Sequence, residues 1–105
     1  MSVFIFQKNP SKKLIESAKR DGHDDVVKLL LADKRVDPSA YDNLAIRKSS
    51  AYGQYEVVKL LLEDPRVDLA IIDIKNMIAK AESNGYYRVV QVLLQHSESK
   101  KVFDF

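Results

Sequence analysis

The chain has 105 residues, 17 basic against 15 acidic, a formal net charge of +2, no cysteine, no tryptophan and three glycines. That length accommodates one domain, and 46% hydrophobic with 30% charged residues excludes both a disordered composition and a membrane one. Without cysteine there is no disulfide framework, thiolate zinc site, iron–sulfur cluster or thiol nucleophile. The two histidines, His23 and His96, leave little for metal or acid–base chemistry, so no cofactor and no metal are expected. The two signs of charge are interleaved. Even the densest basic cluster, Lys12, Lys13, Lys19 and Arg20, contains Glu16 and is followed by Asp21, Asp24 and Asp25. This is not the one-sided basic stripe of a nucleic-acid binder. No apolar run approaches the roughly 20 residues of a membrane span. The expectation is a cytoplasmic protein with neither nucleic acid nor membrane as partner.

In chain order, residues 1–9 read as an apolar tail, with Val3, Phe4, Ile5 and Phe6 in succession. That run is too short for a signal-peptide core and has no basic residue before it. Residues 10–37 hold a first short helix carrying Leu14, Ile15 and Ala18, then Gly22, then a second helix over about 24–33. Residues 38–68 repeat the order with Leu44, Ala45 and Ile46, then Gly53 and a helix over 55–63. Residues 69–97 repeat it again with Met77, Ile78 and Ala81, then Gly85 and a helix over 87–96. Residues 98–105 form a second apolar tail with Val102, Phe103 and Phe105. The tails are expected either to fold over the end units or to dock on a partner or a second copy.

The units are copies of one another. Residues 26–37, VVKLLLADKRVD, match residues 57–68, VVKLLLEDPRVD, at ten of twelve positions with an offset of 31. A weaker third copy, Val89-Val90-Gln91-Val92-Leu93-Leu94, follows at 32. All three glycines fall at one place in the unit, between its two apolar segments. A glycine just past a helix adopts the left-handed conformation without a Cβ clash, so each glycine ends a first helix. Asp24 and Glu56 sit in first turns, where the helix dipole favours negative charge. Pro65 stands just past the middle second helix, where proline halts it.

A period of 31–32 with two helices and a turn resembles the ankyrin-repeat family. The likeness rests on Gly53-Gln54-Tyr55-Glu56-Val57-Val58-Lys59-Leu60-Leu61-Leu62 and on Gly22-His23-Asp24-Asp25-Val26-Val27-Lys28-Leu29-Leu30-Leu31, and covers roughly Pro10 to His96. The first helices depart from the family opening, with Leu44-Ala45-Ile46-Arg47 where Thr-Pro-Leu-His is usual. The Arg-Val-Asp linkers of units of about 31 residues are similar to divergent arrays in giant amoeba viruses and protists; from such a source the partner would be a host protein. The fold class expected is all-α, a helix-turn-helix solenoid of three units, with short tight loops at 37–42 and 68–74 in place of long β-hairpin fingers.

The resemblance implies a non-enzymatic protein-interaction module, a scaffold or adaptor whose partner is another protein. Carried over by position, the contact residues are Lys12, Arg20 and Asp21 in the first unit, Asn43, Ala51 and Tyr52 in the second, and Lys75, Ser83 and Asn84 in the third. The apolar loop Leu69-Ala70-Ile71-Ile72-Asp73-Ile74 adds Ile71 and Ile72, either as a contact at a loop tip or as core. The alternative is a self-associating structural protein built through its tails or open stack ends; the state expected is a monomer or weak homo-oligomer. Ser49-Ser50 has no base and orienting carboxylate spaced to serve it. Asp37, Asp42 and Asp73 are expected to make local turn bonds. Arg35 and Arg66, which recur in the linkers, are expected to make a scaffold bond in each unit.

Overall fold

The computed structural model describes residues 10–19 and 24–102, with side chains for 10–18 and 24–98. Both tails beyond these limits lie outside the described residues, as do Arg20, Asp21, Gly22 and His23. The described residues form six helices: α1 Pro10–Lys19, α2 Asp24–Leu31, α3 Ala40–Ala51, α4 Tyr55–Glu63, α5 Ile71–Ser83 and α6 Tyr87–Val102. No strand occurs among them. The odd-numbered helices stack on one another as one layer, the even-numbered helices stack as a second, and each pair packs across the two. This is the three-unit, all-α solenoid.

Local chemistry places the ends. Pro10 opens α1, where the missing N–H costs nothing. Asp24 and Asp25 open α2, and Glu56 lies in the first turn of α4. Gly53 and Gly85, with φ of 75° and 77°, end α3 and α5 in the left-handed conformation the sequence assigns to them. α2 stops at Leu31, two residues before the expected boundary. α6 runs on to Val102 instead of stopping at 96. Its sequence there, His96-Ser97-Glu98-Ser99, replaces the Asp64-Pro65-Arg66-Val67 that stops α4.

One core runs through the stack. Leu14, Ile15 and Ala18 of α1 join Val27 of α2, Ala45 and Ile46 of α3, Val57, Val58 and Leu61 of α4, Ile74, Met77 and Ala81 of α5, and Val89, Val90 and Leu93 of α6. The linkers contribute Val36, Val67 and Leu69. Small side chains at Ala18, Ala45, Ser49 and Ala81 leave room for the first helices to approach. Ser49 and Ser50 are buried and each donates its hydroxyl to the Ile46 carbonyl, so both are satisfied inside α3.

The expected loop at 68–74 is shorter than its sequence suggests. α5 begins at Ile71, so Ile71 and Ile72 belong to a first helical turn and not to a loop tip. Helical spacing then turns Ile74 into the core while Ile72 stays 62% exposed. The expected loop at 37–42 does hold a turn: the segment named α3 starts at Ala40, but its right-handed helix begins only at Leu44. Its opening is unusual: Tyr41, Asp42 and Asn43 hold φ of 56°, 57° and 58°, one turn of left-handed helix before the right-handed α3. Such a turn costs about 1–2 kcal/mol per non-glycine residue. Arg47 offsets part of this by donating from Nε to the Asp42 carbonyl at 2.9 Å and from an Nη to the Tyr41 carbonyl at 3.2 Å.

The linkers hold the units in register. Asp64 and Arg66 form a two-pronged pair at 3.0 and 2.8 Å, and Asp64 Oδ1 also accepts the Arg66 backbone N–H. The guanidinium then crosses to the preceding unit and donates to the carbonyls of Leu31 at 2.7 Å and Val36 at 2.6 Å. Leu31 is the last residue of α2, so the cation also meets the negative end of that helix. Asp33 and Arg35 build the same local fork, at 3.1 and 2.7 Å, but among the described residues it reaches no other unit. The linker Asp residues are tied to the starts of their own first helices, Asp37 N–H to Ser11 Oγ and the Asp68 carbonyl to Asn43 Nδ2. Asp37 also makes the expected turn bonds, accepting from Ser39 N–H and Oγ.

Two tests follow from this geometry. Arg66→Ala removes charge-assisted bonds that join two units, and with solvent discounting the half-exposed guanidinium it should cost about 1–2 kcal/mol, read as a thermal midpoint lower by roughly 5–10 °C. Arg35→Ala should leave the midpoint nearly unchanged. The Arg66 side-chain bond holds the Asp64 pKa below its ordinary 3.8; the exposed Asp33–Arg35 pair is screened by solvent and adds little to stability. A carboxylate whose pKa falls on folding adds stability that is full above its unfolded value and lost as pH drops through the folded value. The wild type should therefore weaken as pH falls below about 4, and Asp64→Asn should flatten that slope.

The second test uses the glycines. An alanine at either position bears the left-handed strain, about 1 kcal/mol. At Gly53 the added Cβ would also stand 2.8 Å from Tyr86 Cδ1, whereas at Gly85 it meets nothing within 4 Å. Gly53→Ala should lower the urea midpoint more than Gly85→Ala, and Tyr86→Ala should narrow the difference.

Candidate binding face

The layer of first helices has one side packed on the second helices and one side free. On the free side the helical period brings a row of α3 residues, Leu44, Arg47, Lys48 and Ala51, opposite a row of α5 residues, Asp73, Asn76, Met77 and Lys80. The rows enclose an open groove of about 240 Å³. Leu44, Ala51 and buried Met77 form its apolar floor; Arg47, Lys48 and Lys80 line it with positive charge against the single carboxylate of Asp73. None of these four charged groups enters an ion pair among the described residues.

The contact residues expected from position fall around this groove more than in it. Ala51 lines it. Lys12 is exposed on α1, Lys75 is exposed on α5, and Ile71 and Ile72 sit in the first turn of α5. Ser83 and Asn84 close α5, where Ser83 Oγ donates to the Lys80 carbonyl and Asn84 is the C-cap. Tyr52 is 48% exposed at the end of α3, at the inter-helix turn and outside the groove lining. Asn43 is half-buried with its amide bonded to Asp68, which makes it part of the scaffold. Arg20 and Asp21 lie outside the described residues.

Arg47, Lys48, Asn76 and Lys80 escape the sequence reading. They stand three and four residues from Ala51 or from one another, so the helix period applied to Ala51 alone leads to Arg47 and Lys48. Asp42 and Asp73 likewise make no turn bond of the expected kind; Asp73 lines the groove and Asp42 contributes its carbonyl to Arg47.

A second exposed feature lies at the inter-helix turns. Tyr86 covers Gly53, Tyr87 is 68% exposed, and the Arg88 guanidinium sits 5.0 Å from the centre of the Tyr55 ring. That pair ties α6 to α4, and Arg88 also donates to the Tyr55 hydroxyl at 3.1 Å. Among the described residues no three His, Asp or Glu side chains gather as a metal site, and no helix is long and apolar enough to cross a membrane.

Comparison with known proteins agrees with this architecture. The family model for ankyrin repeats (3 copies) matches residues 14–104. No curated protein and no solved structure matches the chain. Ankyrin repeats are in general protein–protein interaction modules and typically not enzymes. With three helix pairs in two layers and a family match over nearly its whole length, the chain belongs to the ankyrin-repeat family.

Proposed function

We propose that this protein is a non-enzymatic adaptor that binds another protein on the free side of its first helices. The observation that carries this reading is the division of labour along the repeat. Residues used by the stack recur: the Val-Val pair and the turn glycine in all three units, the Leu-Leu-Leu run and the linker valine in the first two. On the free side the equivalent positions of α3 and α5, 32 residues apart, mostly differ: Leu44 against Asn76, Arg47 against Ala79 and Ala51 against Ser83, with Lys48 and Lys80 alike. A side chain the stack does not use is free to be selected by a partner. Exposed Lys75 and Ile72, with Tyr52 at the rim, extend the surface toward the helix ends. Three units offer a small area, toward the low end of the 1,200–2,000 Å² usual for stable complexes, so the affinity expected is modest.

The test is differential capture of protein partners on immobilised wild type and two variants. Tyr52→Ala/Ile72→Ser alters the first-helix side, and Lys59→Glu/Gln91→Glu alters exposed positions of the second helices. The first variant should lose the captured protein while its thermal midpoint moves by less than about 3 °C, as for surface changes within ±0.5 kcal/mol. The second should retain it. The reverse pattern would sink the assignment of the face.

A further inference from the structure

We infer that the α3–α5 groove selects an acidic segment, a short carboxylate-rich stretch of a partner protein, and that Arg47 is its fixed cation. The inference rests on the binding face proposed above and specifies what that face accepts. Its first support is charge. Arg47, Lys48 and Lys80 face one groove with only Asp73 opposing them, while the whole chain, at 17 basic and 15 acidic residues, is nearly balanced. The excess is therefore local. No side-chain carboxylate among the described residues pairs with these cations, so an incoming carboxylate displaces no internal partner.

Its second support is the way Arg47 is held. The guanidinium donates to two backbone carbonyls, those of Asp42 and Tyr41, which fix its position without neutralising its charge. Those carbonyls are presented by the left-handed turn at Tyr41, Asp42 and Asn43. The matching positions of the third unit form the ordinary right-handed opening of α5. A cation already immobilised loses less conformational freedom on binding than a free side chain does. Strain of this kind persists where the surrounding structure over-determines it and tends to cluster at binding sites. The floor of Leu44, Ala51 and Met77 supplies apolar contact, so the complementary segment carries one or two apolar residues among its carboxylates.

The test uses two labelled ten-residue peptides, one with Glu at most positions around a central Leu, the other with Gln replacing each Glu. Binding is followed by fluorescence anisotropy at low salt and by backbone amide shifts of the full chain. The Glu peptide should bind, shift amides within 44–51 and 73–80, and weaken as salt rises; the Gln peptide should bind at least tenfold more weakly. Arg47→Ala should reduce affinity about tenfold. Should that change disturb the α3 opening, Lys48→Glu/Lys80→Glu carries the test, because neither side chain takes part in the scaffold, and it should reduce affinity at least tenfold with an unchanged thermal midpoint. The proposal is overturned if the Glu peptide does not bind, if the Gln peptide binds equally well, or if the amide shifts fall outside the groove. It is overturned equally if binding survives the charge reversal. In all of these cases the capture experiment above still decides separately whether the first-helix side binds protein at all.

Discussion

Each helix pair presents an apolar stripe that it cannot cover by itself. Val57, Val58 and Leu61 on α4 are fully buried only because α2 and α6 lie on either side and α3 lies beneath. Short helices gain little from backbone hydrogen bonding alone, so most of their stability comes from this packing. Every other feature serves the requirement that the pairs arrive in register. The glycine turns fix the angle within a pair. The linkers fix the step from one pair to the next, and the buried valines Val36 and Val67 anchor those linkers to the core.

The Asp-x-Arg fork shows how one motif does different work at different places. In the second linker it spans two units, with four side-chain hydrogen bonds from one arginine to three residues. In the first linker the fork closes on itself, so the charge pair is exposed and its contribution is screened. In the third unit the motif is missing and the helix continues. The recurrence that made these arginines look like scaffold was sound, but recurrence in sequence did not mean equal energy.

Much of the fold was legible because its causes are periodic. The offset of 31, the glycine positions and the apolar spacing are all consequences of stacking, and all survive in the linear string. The misses were local. Ile71 and Ile72 looked like a loop because the segment is apolar throughout, and only the register of α5 shows that Ile74 is the buried member. The left-handed turn at Tyr41 to Asn43 has only a weak sequence mark: Asp42 and Asn43 tolerate that conformation better than most residues, but Tyr41 does not and no glycine is present. The groove was half legible: Ala51 was named from position, but Arg47, Lys48 and Lys80 depend on how α3 and α5 lie side by side, which is a property of two units and not of one.

The extended α6 gives the array a direction. Only the middle unit both gives a guanidinium to the unit before it and ends in a linker of the kind that accepts one. A second copy of residues 38–68, inserted directly after the first, would meet its own complement: the new arginine would find a carbonyl pair equivalent to Leu31 and Val36, and the following unit would see the linker it sees now. Residues 69–97 could not be doubled in this way, because a helix that runs on through Ser97 offers neither a fork nor a linker. The chain thus contains a single self-compatible building block, and an array of any length could be made by repeating it.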